Sequence, residues 1–502
     1  MKNQSSITST VISRLLIFLI FLSVNSVAHG QSQPQLLKQG DPVTGQCLGK
    51  TEPGCVLPNL FGPGGLTLAS NPNFPHFAHF IGSAQETMNQ TVGSAIATQL
   101  AVLPIISPSS GFTYKYDKET GAFVRTTTSF GPIFAERAET IGRGKFMMGS
   151  SYQRFRFDSL DGISLHSVPA VFSHIKNTGP GNSPEPYEAD VITSANNIDV
   201  KMDQTMLFGT VGITDRLDVS IAVPIVSVRM GASSNDQIIR VSGPSFIGGN
   251  PPGPIQNPHQ FTTGTLCTVF SATAILCNVY SSNASAAGIG DVTFRVKGDV
   301  FQSESVRMSL AMDVRAPTGD ARQFLGSGAA GIKPFLIVSL RKKFSPHANL
   351  GYQWNGKSIL AGNITGTTIS EDSTGSAQIQ TGPAVKESLP GQVFGTVGID
   401  VGFPGRRLTV AFDYLGQVLL DAPRVFRTTE PTDNIPGGTG VLTLPTISGG
   451  KDNVVLSSGS AGFKYNLFNN ILVTGNILFR LDNKGLRQNV TPLAALTYSF
   501  GR

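Results

Sequence analysis

Charged residues are scarce in this sequence, and its apolar runs are short. Of the 502 residues, only 14% are charged, against roughly 25% in a typical soluble protein. The apolar fraction of 40% is too low for a bundle of membrane-spanning helices. Glycine is abundant, at 56 residues, and many short runs alternate between apolar and polar side chains. This combination is typical of an all-β chain.

The first 30 residues are typical of an export signal. Two basic residues precede the apolar run 15–22, and small residues follow at Ser26 and Ala28. The apolar run is shorter than the about 20 residues that a spanning helix needs, which disfavours a retained anchor. Cleavage after Ala28 fits the small-x-small rule, with Gly30 as the second choice. We therefore predict an exported protein with a signal peptide over residues 1–28.

The four cysteines fall into two local pairs, Cys47 with Cys55 and Cys267 with Cys277. Local pairs in Gly/Thr-rich segments suit disulfides that close loops in an oxidising compartment. A zinc site would need CxxC-type spacing and nearby histidines, and neither is present. Two disulfides are the prediction, with free thiols as the alternative.

Apolar and charged side chains alternate in residues 289–316. The apolar set is Val292, Phe294, Val296, Val300 and, after a turn, Val306, Met308, Leu310, Met312 and Val314. Successive side chains of a strand point to opposite faces, so one face of this hairpin is aliphatic and the other is charged. In a soluble sandwich the apolar face is the core. In a membrane barrel the apolar face meets lipid and the charged face lines the lumen.

The lengths of the connections distinguish these two folds. Tight turns are predicted near 214–217, 301–304, 342–346, 403–406 and 465–469. Long polar connections are predicted near 158–195, 233–287, 317–332, 356–390 and 421–451. Short and long connections therefore alternate strictly, as they do in outer-membrane barrels. A secreted β-sandwich has no reason to separate them, so we predict an all-β fold that is a transmembrane antiparallel β-barrel.

Counting strands from Lys145 gives twelve. They are one near 145–157, five hairpins at 198–230, 288–316, 333–355, 391–420 and 452–482, and a last strand at 490–500. Residues 111–136 either add a hairpin and give fourteen or fold into the lumen, and twelve is favoured. Pro224 interrupts one strand and the alternation changes phase after it, which predicts a bulge there.

The segment before the barrel is irregular or helical. A helix is predicted within 83–103, ending at Pro104. The apolar run 95–106 is a candidate lining for an apolar pocket inside the lumen. The alternative is a mobile periplasmic tail. The predicted organisation is a signal peptide (1–28), an N-terminal segment that is a candidate plug (29–110) and the barrel (111–502).

The charged face supplies the candidate site, because an unpaired charge that faces lipid costs about 2–4 kcal/mol near the midplane. The lumen-lining candidates are Arg295, Lys297, Arg307, Asp313, Arg315, Asp413, Arg480 and Asp482, together with Lys464. They form either a salt-bridged network that fills a narrow barrel or a polar path around a plug. A barrel of this strand number is wide enough to pass small solutes unless something blocks it.

No pattern of catalytic or cofactor-binding residues stands out. None of the seven histidines lies mid-strand with a serine close in sequence, as a barrel hydrolase would need. His76 and His79 lack an acidic partner for a metal. The formal net charge of +6 is too small to indicate a nucleic-acid partner. We predict no enzyme, no cofactor, no metal and no nucleic acid.

Several stretches carry a resemblance to a known family. They are VGITDRLDVSIAVPIV (211–226), GIGDVTFRVK (288–297), RAPTGDARQFLGSGAAG (315–331), NLGYQWNG (349–356) and the C-terminal residues 460–500. They look like bacterial outer-membrane barrels of the phenol meta-cleavage pathway type, and the likeness covers roughly residues 200–500. The general plan is also similar to that of the outer-membrane long-chain fatty acid transporters, which carry an N-terminal plug.

The resemblance implies transport of aromatic or other hydrophobic compounds across the bacterial outer membrane. The expected function is passive uptake through a channel, and the expected partners are outer-membrane lipid, a small hydrophobic ligand and the barrel-assembly machinery, which reads the C-terminal strand. The alternatives are a general porin for small polar solutes and a structural or adhesive surface barrel.

Overall fold

The computed structural model describes most of the chain between Thr87 and Phe500, together with Cys47, Leu66, Leu68 and residues 50–61. The gaps after Thr87 are 105, 109–110, 118–121, 126–128, 174–189, 240–258, 262–263, 265–275, 341–343, 365–366, 372–376, 404–406, 433–440 and 469. All described residues belong to one unit, Thr44–Arg502. The predicted signal peptide, His76 and His79 lie outside the described residues.

Twelve antiparallel strands form a closed barrel, which confirms the strand count. They are β1 Phe146–Phe157, β2 Val191–Thr214, β3 Leu217–Ile239, β4 Thr293–Gln302, β5 Val306–Arg315, β6 Gly331–Leu340, β7 Phe344–Asn355, β8 Gly391–Gly402, β9 Leu408–Pro431, β10 Thr443–Asn466, β11 Ile471–Arg480 and β12 Val490–Phe500. Each strand pairs with its neighbour along this series. The ring closes where β12 pairs with β1, with Phe500 opposite Phe146.

The described part of residues 111–136 adds no strand to this ring. Tyr114–Asp117 pairs with Ala122–Arg125 in a separate hairpin. The five turns between β2 and β3, β4 and β5, β6 and β7, β8 and β9, and β10 and β11 are short and lie at one end of the barrel, the short-turn end. The long connections lie at the opposite end, the long-loop end.

The remaining elements of the described chain cluster at the long-loop end. They are a 3-10 turn (Pro53–Cys55), a π-helical turn (Thr87–Val92) that continues into helix α1 (Gly93–Leu100), and the short strands Ser159–Leu160, Ile163–Ser164, Val168–Ser173, Lys357–Asn363, Thr367–Glu371, Ala377–Thr381, Val385–Ser388 and Leu486–Arg487. The longer strand Cys277–Ile289, of 13 residues, pairs with residues 225–237 of β3. Helix α1 ends shortly before Pro104, which has no N–H to continue it. Among the described helices, none has the length and apolarity to cross a membrane.

The barrel strands expose their apolar face and bury their charged face. On β4, Phe294, Val296 and Val300 are 47%, 43% and 57% exposed, whereas Arg295 and Lys297 are 7% and 1% exposed. A soluble sandwich buries its apolar faces, so that alternative is wrong. An exposed apolar band around a closed polar interior is what lipid requires. The 10 residues of β4 match the about 9–11 that a tilted strand needs to span the bilayer.

The bulge predicted at Pro224 is wrong. β2 and β3 stay in register there, with Pro224 opposite Met206. The Pro224 carbonyl accepts a hydrogen bond from the Gly290 N–H at 2.8 Å. Within a strand the N–H and C=O of one residue point to the same side, so the missing donor faces the stretch between Ile289 and Thr293, where the neighbouring chain leaves the ladder. Proline is tolerated at this position because its missing N–H leaves no carbonyl of the ladder without a donor.

The change of phase in the sequence marks the point at which the apolar side chains of β3 move from the outward face to the inward face. Beyond Pro224 the inward-facing Val226, Val228 and Met230 are 4%, 0% and 3% exposed. They belong to the apolar cluster that also contains Ile96 and Leu100 of α1. The strand therefore turns apolar residues outward where it meets lipid and inward where it rises beyond the lipid and packs a core of its own.

Candidate functional site: the barrel lumen

Residues 129–141, which we call the inner segment, cross the lumen. Backbone N–H groups along it donate to inward-facing side chains of four strands: Phe130 to Thr409 Oγ1 at 2.9 Å, Phe134 to Asp413 Oδ2 at 3.3 Å, Glu136 to Asn349 Oδ1 at 2.7 Å, Ala138 to Ser339 Oγ at 3.0 Å and Ile141 to Asp218 Oδ2 at 3.0 Å. These acceptors lie on β9, β7, β6 and β3. The polar inner wall thus satisfies the backbone of a chain that has no strand partner.

The chain between α1 and the hairpin also enters the lumen. Pro108 accepts a hydrogen bond from Thr210 Oγ1 of β2 at 2.8 Å. The Ser107 hydroxyl donates to Glu136 Oε2 at 2.7 Å and so joins this stretch to the inner segment. Nearer α1, Arg315 Nη1 donates to the Ala101 carbonyl at 2.9 Å. Both passes of the chain are therefore bonded to the barrel wall.

Glu136 is the centre of a buried ion network. Its carboxylate accepts hydrogen bonds from Arg295 Nη1 and, at 3.1 Å, from Lys297 Nζ. Arg295 binds Asp313 through Nε at 2.6 Å and Nη2 at 2.8 Å, a bidentate pair. Lys297 Nζ also lies 3.6 Å from Asp218 Oδ2. Each charge has a partner of opposite sign, as burial requires.

A second cluster lies nearer the short-turn end. Arg137 Nη2 donates to Asp400 Oδ2 at 3.0 Å. The His347 ring lies between two carboxylates, with Nε2 2.6 Å from Asp413 Oδ1 and Nδ1 3.2 Å from Asp400 Oδ1. Lys464 donates to the carbonyls of Pro132 and Phe130. This cluster fixes the first half of the inner segment.

A cavity of about 180 Å³ lies between α1 and the inner segment. Ala97 and Leu100 to Pro104 form its roof, and Phe134 and Glu136 belong to its floor. Its apolar walls include Phe335 of β6, Phe394 of β8 and Leu415 of β9, and its polar walls include Arg295 and Lys333. The predicted apolar run 95–106 thus contributes to the lining of a space inside the barrel.

Most of the lumen-lining candidates lie inside the barrel. Arg295, Lys297, Arg307, Asp313, Asp413 and Lys464 are buried, and Arg315 is largely buried. Arg307 pairs with Asp299 at 3.3 Å near the short-turn end. Arg480 is the last residue of β11 and lies 3.4 Å from Asp158, whereas Asp482 follows the strand and pairs with Arg487 at 3.0 Å. These last two therefore lie at the long-loop end.

The sequence candidates omit several residues of the site. Asp218 and Lys333 lie directly opposite Lys297 and Asp313 in the strand register, so the alternation of their own strands could have indicated them. For Glu136 and Arg137 the sequence holds a weaker signal, the charge-rich stretch AERAE (135–139). This stretch has no periodicity from which its course through the barrel could be predicted.

Apart from His347, the described cysteines and histidines lie away from this site. Cys47 and Cys55 form a disulfide with an S–S distance of 2.04 Å. Cys277 is disulfide-bonded, and its predicted partner Cys267 lies outside the described residues. His259 pairs with Asp190 at 3.0 Å at the long-loop end. The described residues contain no group of His, Cys, Asp and Glu side chains that could hold a metal.

Comparisons with known proteins find one family model that matches part of the chain. The chain is similar to a solved outer-membrane channel from Pseudomonas putida F1, with 12% identity and a TM-score of 0.38 over 72% of this chain and 98% of that one. It is also similar to the CymD monoaromatic hydrocarbon channel, with 7% identity and a TM-score of 0.31 over 72% of this chain and 89% of that one. A third similar structure is the translocator domain of the autotransporter NalP from Neisseria meningitidis, with 9% identity and a TM-score of 0.29 over 72% of this chain and 89% of that one. Because these TM-scores are low, the fold assignment rests on the strand pairing described above. No curated protein matches the chain. A family model described as "Putative MetA-pathway of phenol degradation" matches residues 176–406, so the family resemblance carried by the sequence is confirmed over that part of the barrel.

Proposed function

We propose that the chain is a bacterial outer-membrane channel through which small hydrophobic molecules, aromatic ones included, enter the cell by diffusion. The cavity inside the lumen is the observation that carries this proposal. Phe134, Phe335, Phe394 and Leu415 give it apolar walls, and an apolar solute gains by leaving water for such a place. The description of the matched family names phenol degradation, which supports aromatic compounds as cargo.

The chain that precedes β1 acts as the plug in this proposal. Helix α1 packs into the apolar cluster at the long-loop end, and the inner segment crosses the lumen below the cavity. The plug then extends past residue 110, the predicted end of the N-terminal segment, to about Ile141. A mobile tail is hard to reconcile with the ion pairs of Glu136 and Arg137. Passage of a solute requires part of this chain to move.

The orientation follows from the loops. Outer-membrane barrels turn tightly in the periplasm and carry long loops outside, so the short-turn end faces the periplasm. The signal peptide over residues 1–28 directs export and is removed. The barrel-assembly machinery recognises β12, which ends on Phe500 with Tyr498 and Leu496 on the lipid face.

The two rival functions make different demands on the lumen. A general porin needs a water-filled path, and the inner segment obstructs one. A structural or adhesive barrel needs no internal cavity with apolar walls. No observation on the described residues favours an enzyme, and transport accounts for the arrangement without a cofactor.

Conductance and uptake together test the proposal. The purified protein is placed in planar bilayers, and cells or liposomes that contain it are offered toluene. We expect little ion current and faster entry of toluene. Large stable currents would favour the porin, and neither current nor uptake would favour a structural barrel. Deletion of residues 31–141 from the exported protein, which removes both α1 and the inner segment, should raise the current, and a truncated barrel that is no leakier than the full chain would refute the plug.

A further inference from the structure

Among the described residues that line the cavity, Lys333 is the cation without an ion pair. It lies on β6 directly opposite Asp313 of β5. That carboxylate is already bound in bidentate fashion by Arg295, at 2.6 and 2.8 Å. Among the described residues, Lys333 has no carboxylate within ion-pair distance. Its ammonium instead lies 4.0 Å from the centre of the Phe394 ring.

The other charged side chains of the cavity wall have partners of opposite charge. Glu136 accepts hydrogen bonds from Arg295 and Lys297. Arg315 lies 3.6 Å from Asp291 and donates to Asn355 Oδ1 at 2.9 Å. Lys333 therefore adds a positive charge to a space whose carboxylates are each bonded to another cation.

The surroundings of Lys333 are aromatic. Besides Phe394, the Phe335 ring lies 5.9 Å from its ammonium, and Arg295 lies 5.1 Å from the same Phe335 ring. A cation on a ring face is held weakly compared with an ion pair, so Lys333 can exchange the ring for an anion at small cost. The cavity of about 180 Å³ exceeds the about 150 Å³ of an apolar cavity that accepts benzene.

We propose that this cavity binds small aromatic molecules that carry a single acidic group, with the anion at Lys333 Nζ and the ring against Phe335 and Phe394. The inference rests on the proposed function and narrows its substrate class from apolar compounds to amphiphilic aromatic acids. Benzoate has this chemistry, and toluene is its uncharged counterpart of nearly the same shape.

The test compares benzoate and toluene on the purified full-length protein in detergent and in proteoliposomes. Equilibrium dialysis with each radiolabelled compound gives its affinity, and entry into the liposomes gives its flux. The variants are Lys333→Met, which keeps the side-chain length and removes the charge, and Lys333→Arg, which keeps the charge. Lys386→Met, at an exposed lysine on the long-loop strand Val385–Ser388, is the matched control.

We expect wild type to bind benzoate about tenfold or more tightly than toluene, since a hydrogen bond to a charged group is worth at least that much. Lys333→Met should lose about tenfold for benzoate and keep its affinity for toluene, while Lys333→Arg and Lys386→Met should resemble wild type. Because Lys333→Arg retains the ionic group, it separates loss of charge from damage to the fold.

Two results overturn the inference. If toluene binds and enters but benzoate does not, or if Lys333→Met binds benzoate as wild type does, the acidic substrate class is wrong while the hydrophobic channel stands. If neither compound binds or crosses, the proposed function fails together with the inference.

Discussion

Glu136 of the inner segment and Arg295 of β4 form an ion pair inside the barrel, although 159 positions separate them in the chain. Both side chains are buried, at 2% and 8% exposure. The pair links the chain that fills the lumen to the wall that surrounds it, and Lys297 strengthens the link at 3.1 Å. The position of the inner segment and the stability of the barrel should therefore depend on the same charges.

Glu136→Gln is expected to destabilise the protein by about 3–5 kcal/mol, because it leaves Arg295 and Lys297 buried without the full charge of their partner. Urea unfolding in lipid vesicles measures this. The control is Glu387→Gln, whose ion pair with Lys451 at 2.7 Å is about half exposed and should matter by less than about 1 kcal/mol. Equal effects of the two variants would show that the buried network contributes little.

Gly212→Ala should disturb the chain where the inner segment leads into β1. A Cβ atom at Gly212 would lie 1.9 Å from the carbonyl oxygen of Gly142, so the backbone there must shift. Overpacking of this kind costs about 1–3 kcal/mol. Faster hydrogen exchange of residues 136–145 is the expected readout.

Gly231→Ala is the matched control for that substitution, because a Cβ at Gly231 of β3 would have no atom within 4 Å. Its exchange should equal that of wild type. If Gly212→Ala also exchanges like wild type, the contact between β2 and the incoming chain is looser than the structure has it.

Val296→Arg on β4 should destabilise the barrel by about 2–4 kcal/mol, since it places a charge on the lipid face. Val279→Arg, on the strand Cys277–Ile289 beyond the lipid, should cost less than about 1 kcal/mol although Val279 is more exposed, at 63% against 43%. Unfolding in vesicles of fixed thickness measures both. A smaller penalty at position 296 than at 279 would contradict the placement of the membrane band.

Replacement of both Cys47 and Cys55 by serine should loosen residues 50–61 and leave the barrel intact. The bond closes a loop with a sequence separation of 8, and the chain-entropy model assigns about 2–3 kcal/mol to such a loop. Limited proteolysis of the variant is expected to cut near residues 50–61 and to spare the strands. Cleavage within the strands would show that this disulfide also stabilises the barrel.

Alternation predicts much of the fold in this chain. The pattern of residues 289–316 predicts β4, β5 and their charged inner face, and the repeated short turns predict the twelve-strand ring. The error at Pro224 has a physical cause. Alternation tells which face is apolar but not whether lipid or protein covers it. In the sequence, a change of environment along one strand therefore has the same pattern as a change of register.

The sequence by itself determined which side chains share a face, because in a strand that depends only on whether the positions are odd or even. It did not determine what fills the barrel. The course of the inner segment, the ion pair of Glu136 with Arg295, and the position of Lys333 beside Phe394 rather than Asp313 all join distant parts of the chain. Contacts of this kind follow from how the closed ring brings its walls and its contents together, and they leave no local period from which they could be predicted.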